Sequence, residues 1–207
     1  MDKLDLTKQY KSYYSAKSKP ELVDIEPAQY LSILGQGDPS GTEFANNISA
    51  LYTVAYVIKF MCKAEGKDFV VAKLEGLWWY DEDKYKDASI TDAPTLIPRS
   101  EWYYRLLIRL PDFVNAAHIA MGITTATEKK GIALAKEVEL YLIAAHKAVQ
   151  MLHIGPFDKE PETLVQIMSF MQENNLPKGG LHHEIYLSDF RKTAPDKLKT
   201  ILREPTI

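Results

Sequence analysis

Apolar residues recur along the chain in two rhythms, and each change of rhythm marks a new element. Between residues 42 and 65, Phe44, Ile48, Leu51, Ala55, Ile58 and Cys62 fall three or four apart, one continuous stripe on an α-helix. Thr42 can cap that helix and Gly66 stops it. Short β-rich runs predict strands at 30–34, 69–79, 102–110, 137–143, 149–154, 182–187 and 198–203. A second helix is expected from Pro161 to the Asn174-Asn175 pair. A weaker one at 112–130, with Val114, His118 and Met121 on one side, links the two halves of the chain. Residues 1–27 are polar, punctuated by Pro20 and Pro27, and read as an extended arm or lead-in strand.

The order strand, helix, strand, strand occurs twice, over 28–111 and 137–207. Ile33-Leu34-Gly35 matches His153-Ile154-Gly155, with the glycines 120 apart. KLEGLWW (73–79) aligns with HHEIYLSD (182–189) at an offset of 109, which sets Glu75 against Glu184. LLIRLP (106–111) aligns with TILREP (200–205) at an offset of 94. One duplication with insertions accounts for all three. The expected fold is α+β, a duplicated β-α-β-β unit forming one antiparallel sheet with two long helices on one face.

Within 182–187, alternation separates His183, Ile185 and Leu187 from His182, Glu184 and Tyr186. Packing the Ile185 and Leu187 side under the helix turns Glu184 and Tyr186 to the opposite side of the sheet, toward a ligand. An exposed or arginine-paired strand glutamate is the plainer alternative for Glu184, and a salt bridge for Glu75. Trp78, Trp79, Trp102, Tyr103 and Tyr104 crowd two strands that should pair as a hairpin. Correspondence with Glu184 would turn Glu75 and Trp79 to the cleft, joined by Trp102 and Tyr104, leaving Trp78 as core. Flat aromatic faces stack on aromatic ligands and attract cations. Tyr141 and His153 are further candidates, His153 against the alternative of a hydrogen-bonded core histidine.

Composition narrows the chemistry. At 207 residues, with 46% hydrophobic and 26% charged content, the chain has the make-up of a globular protein with a real core. A net charge of −3 and a pI near 6.0 supply no basic field for a phosphate backbone, so no nucleic-acid partner is expected. The single cysteine, Cys62, excludes an internal disulfide and a cysteine-based zinc site. His182 and His183, adjacent on a strand, point to opposite faces and cannot readily share a metal. No metal or cofactor is expected, and no nucleotide or Ser-His-Asp signature is present. The N-terminal stretch lacks the apolar core of a signal peptide and no apolar run reaches the length of a membrane span. A cytoplasmic protein with no membrane partner is the expectation.

Four stretches, LEGLWW (74–79), WYYRLLIRLPDFV (102–114), VQMLHIGPFDKEPETL (149–164) and HHEIYLSDFRKTAPDKLKTILREP (182–205), resemble the GyrI-like small-molecule-binding family. The resemblance covers most of residues 28–207, as a stand-alone domain preceded by the 1–27 arm. It implies two helices on one sheet face, a cleft on the other, and binding of bulky aromatic, often cationic compounds through a carboxylate and an aromatic cage. The ligand set then expected is Glu184, Tyr186, Trp79, Trp102, Tyr104, Glu75, Tyr141 and His153, in a monomer or homodimer. Some stand-alone members hydrolyse cyclopropanoid DNA-alkylating toxins. In that alternative Glu184 would orient or deprotonate water and Tyr186 would hydrogen-bond the substrate carbonyl.

Overall fold

The computed structural model describes residues 3–86, 88, 89 and 91–207. One eight-stranded antiparallel sheet organises them, in the order β1-β6-β8-β7-β3-β4-β2-β5. The strands are β1 (Glu21–Ile25), β2 (Ala28–Gln36), β3 (Leu74–Trp79), β4 (Tyr103–Arg109), β5 (Glu139–Ile143), β6 (His146–Ile154), β7 (His182–Tyr186) and β8 (Lys199–Thr206). β3 and β7 pair at the centre and join the two halves. Helix α1 (Leu6–Gln9) is a single turn. α2 (Thr42–Ala64) and α5 (Glu160–Glu173) are the two long helices, with α3 (Ala93–Leu96) and α4 (Ala116–Thr124) between them. No helix among the described residues is long and apolar enough to cross a membrane.

Both long helices cover one face of the sheet. All six residues of the α2 stripe are buried, and Phe44 stacks on Trp78 of β3 at 5.8 Å. α5 buries Leu164, Ile167 and Met171 against Val149, Met151 and Leu202 of β6 and β8. α4 packs on α2 through Gly122, where a Cβ would lie 2.7 Å from Ile58 Cγ1. Only a residue without a side chain permits that approach.

Several boundaries differ from the sequence reading. The regular strand starts at Leu74, because Phe69 instead pairs with Leu4 in an isolated parallel bridge. The weak helix begins at Ala116 and passes into a π-helical turn at Thr125–Lys129. Its Val114 and His118 flanks are buried, but Met121 is 58% exposed. The expected arm does form a lead-in strand at Glu21–Ile25, yet before it the chain turns through α1 and crosses the helix-free face. There Tyr13 and Tyr14 are buried.

That face holds a buried polar network. Glu75 is fully buried and accepts hydrogen bonds from Tyr13 Oη at 2.6 Å and Tyr14 Oη at 3.4 Å, with His183 Nε2 at 2.8 Å. Arg203, also fully buried, lies 4.5 Å over the Tyr13 ring and donates to the Tyr13 carbonyl and to Gln150 Oε1. Burial lowers the His183 pKa, with Glu75 opposing. Burial and the Glu75 charge push Tyr13 and Tyr14 up. A buried carboxylate tolerates this setting only with such donors around it, and here they come chiefly from the N-terminal arm.

Candidate functional site

Ladder register decides which side chains share a face. Glu184 pairs with Gly76 on one side and with Leu202 on the other. Leu202 packs under α5, and Trp78, two residues from Gly76, packs under α2. Glu184 and Tyr186 therefore lie on the helical face, in a cleft of ≈ 2160 Å³ between α2 and α5. The expected cleft on the far side of the sheet is corrected: the N-terminal arm, absent from the parity argument, occupies that side and buries Ile185 and His183 there.

The same registers correct the placing of Glu75. Glu184 pairs with Leu202, and Leu74 pairs with Ile108, the repeat counterpart of Leu202 at the offset of 94. The counterpart of Glu184 is thus Leu74, at an offset of 110. A one-residue slip reverses every side chain on a strand. Glu75 consequently sits opposite Ile185 on the arm side and takes no part in the cleft.

At the cleft floor Tyr186 Oη donates to Glu184 Oε2 at 2.6 Å and accepts from Trp78 Nε1 at 3.0 Å. Gly76 makes room for this chain: a Cβ there would meet Trp78 Nε1 at 2.8 Å and Tyr186 Oη at 3.1 Å. His182 Nε2 lies 3.2 Å from Glu184 Oε1, and its Nδ1 contacts Glu204 Oε1. Burial opposes charge on His182, but Glu204 and Glu184 outweigh it and raise the pKa to about 10. His182 is therefore an imidazolium at neutral pH. Burial, then the charge of Glu184 and the hydrogen bond to it, push the Tyr186 phenol well up. Glu160, at the first turn of α5, is 8% exposed and its Oε1 has no hydrogen-bond partner. Burial and the Glu184 charge raise its pKa well above the carboxylate range. The floor thus sets the Glu184 and Glu204 carboxylates against one imidazolium, a net negative charge, with Glu160 disfavoured as a further anion.

Aromatic rings form the walls. Phe157, Tyr186 and Phe190 meet edge to face at 6.0–6.4 Å beside Glu184. Phe44, Tyr52 and Tyr56 line the α2 side. Trp102 lines the opposite end against Tyr80, ring centroids 5.5 Å apart. Of the residues singled out from sequence, Glu184, Tyr186 and Trp102 meet in this cleft. Trp78, expected as core, is buried there and also contributes its indole N–H.

The others do not converge. Trp79 reaches the cleft only at its edge; its register turns the ring to the far face, stacked on Tyr103 at 5.8 Å. Tyr104 is on the helical face but packed beneath Phe44, with Asn47 Nδ2 donating to its hydroxyl at 2.9 Å. Tyr141 lies on the far face under Arg105, 4.5 Å from the ring centroid. His153 is the hydrogen-bonded core histidine of the plainer alternative, held by Thr163 of α5 at 2.9 Å. Among the described residues no group of three or more His, Cys, Asp or Glu side chains is arranged to hold a metal ion. Sequence reasoning missed Glu160, Glu204 and the ring pair Phe157 and Phe190. A glutamate in a first helical turn reads as a dipole partner, and nothing local shows that β7 and β8 will enclose it. Glu204 alternates with Leu202, which was a usable signal.

A profile of the GyrI-like small molecule binding domain matches residues 18–203. The crystal structure of a hydrolase from Listeria innocua superposes with a TM-score of 0.84 at 35% identity, covering 99% of this chain and 100% of that one. An uncharacterized conserved protein from Listeria innocua gives 0.87, also at 35% identity and with coverage of 99% and 100%. The EcmrR C-terminal domain shares the fold at 12% identity, with a TM-score of 0.59 and coverage of 91% and 97%. Comparison with curated proteins returned no match. With its matched span running from β1 into β8, the chain belongs to the GyrI-like small-molecule-binding domain family.

Proposed function

We propose that the cleft binds bulky, hydrophobic, aromatic small molecules, cations among them, for sequestration or sensing. One observation carries this reading: the half-buried carboxylate of Glu184 faces a large cleft walled by aromatic rings, and the floor bears a net negative charge. A cation over a desolvated ring gains about 2 kcal/mol, and the carboxylate adds attraction that a neutral ligand does not receive. The rings supply stacking that tolerates many flat shapes, so selectivity is broad. The test uses 10-methylacridinium, a flat permanent cation, and 9-methylanthracene, its uncharged isostere, each quenching tryptophan emission. Glu184→Gln should weaken the cation at least tenfold more than the isostere. Equal losses for the two would assign Glu184 a structural role and end this reading.

A second reading is hydrolysis in the same pocket, of a strained cyclopropane conjugated to an electron sink. It is favoured by the Trp78–Tyr186–Glu184 hydrogen-bond chain and by the likeness, over nearly the full length, to a hydrolase from Listeria innocua. Tyr186 donates its hydroxyl hydrogen bond to Glu184. Turning that hydroxyl to a substrate carbonyl would free Glu184 to orient water or take its proton. With substrate tenfold over protein, product beyond one equivalent supports catalysis, and Tyr186→Phe should then slow turnover with little effect on affinity. Stoichiometric retention of unchanged substrate would reject it.

A further inference from the structure

We propose that the cleft exchanges a proton on Glu160 for a bound cation, so that cation affinity rises with pH while affinity for an uncharged ligand of the same shape does not. The inference rests on the reading of the cleft as a site for aromatic cations and adds how that site is regulated.

Its basis is a buried oxygen of the cleft wall, the only fully buried polar side-chain atom lining it among the described residues that lacks a hydrogen-bond partner. Glu160 is buried at the start of α5, lines the cleft, and leaves Oε1 without a donor. A buried carboxylate oxygen in that state is strongly disfavoured, and the favoured alternative is the protonated acid. The surroundings agree from each packed element. From β7, Glu184 opposes charge on Glu160 and the His182 imidazolium favours it. From β8, Thr200 favours the charged form of Glu160, while Glu204 is engaged with His182. Tyr186 donates elsewhere, to Glu184, and His153 of β6 is engaged with Thr163. On the helix itself Lys159 pairs outward with Glu162. Glu204 and His182 cancel, leaving Glu184 as the uncompensated charge. Its hydrogen bonds come from Tyr186 and His182, and its charge already acts on Glu160 in the same cleft, so a monocation held at Glu184 acts on Glu160 as well. That cation supplies the positive charge the orphan oxygen lacks and favours release of the proton. An uncharged ligand supplies none, and Glu160 keeps its proton.

The experiment titrates 10-methylacridinium into the full chain calorimetrically, in phosphate and in Tris at one neutral pH. These buffers differ in ionisation enthalpy, so the difference in apparent binding heat counts protons released. The unaltered protein should release a substantial fraction of one proton per cation. Cation affinity should rise with pH by up to tenfold per unit, whereas 9-methylanthracene affinity, followed by fluorescence, should stay flat. Glu160→Gln imitates the protonated acid. It should still bind the cation but release no proton and lose the pH slope, while Glu160→Asp should retain release. Cation binding to the unaltered chain without proton release overturns the proposal whether or not the variants fold. Undiminished release from Glu160→Gln also overturns it. Failure of both compounds to bind refutes instead the reading of the cleft on which the proposal rests.

Discussion

Removing the charge of Glu204 while keeping its shape tests whether the cleft floor is held by a buried ion pair. Glu204 contacts His182 Nδ1, and the two side chains are 1% and 8% exposed. The folded-state pKa of His182, about 10, lies above its ordinary 6.5. For a raised group the stabilising contribution is complete below the unfolded value and disappears as pH climbs through the folded one. The window is therefore from about 6.5 to about 10, with stability falling as pH rises. At about 1.4 kcal/mol per unit, the loss across it has a ceiling of roughly 5 kcal/mol. The net worth of the pair is smaller, because both groups were taken out of water. In Glu204→Gln the imidazolium retains only Glu184 at 3.2 Å, and breaking one side of a buried pair costs about 3–5 kcal/mol near neutrality. The fall with pH should also move to lower pH, as His182 gives up its proton earlier. Urea unfolding of both proteins at intervals from about pH 6 to pH 10 measures this, with imidazole NMR following His182 directly. Parallel stability profiles for the two proteins, or a neutral His182 in the unaltered protein near about pH 8, would refute the reasoning.

Three further outcomes follow from the geometry. Gly76→Ala should cost about 1–3 kcal/mol in urea unfolding and should weaken cation and isostere alike, because its methyl displaces the Trp78 indole and Tyr186 hydroxyl together; unchanged binding and stability would show that this chain yields without cost. Tyr13→Phe should cost about 1–3 kcal/mol by taking the 2.6 Å donor from Glu75. Limited proteolysis should then cut the N-terminal arm sooner while cleft affinity stays as before, since the arm lies on the other face; loss of affinity would contradict that separation. Gly122→Ala should destabilise by about 1–3 kcal/mol as its methyl meets Ile58, read as a lowered Tm, and an unaltered Tm would mean that α4 can move away from α2 freely.

Sequence alone carried the elements and their faces as far as local rules reach. The spacing from Phe44 to Cys62 specified a buried helix stripe because a helix repeats every 3.6 residues whatever lies opposite. Alternation along 182–187 put Glu184 with Tyr186 and His182, and apart from His183, because strand periodicity is a property of the backbone. Duplicate segments gave two halves, and their outer offsets agree with the strand pairing. Which face those groups looked toward was settled by contacts between distant segments. Alternation fixes relative sides but carries no mark of which side a helix will cover. A slip of one residue in aligning β3 with β7 was enough to send Glu75 to the wrong face. The arm buried the expected cleft side through tyrosines that have no helical or strand rhythm of their own. Glu160 gained its place in the cleft wall only by being enclosed between α5, β7 and β8. Desolvation and the field of Glu184 are sums over three dimensions, and neither has a counterpart in the order of residues.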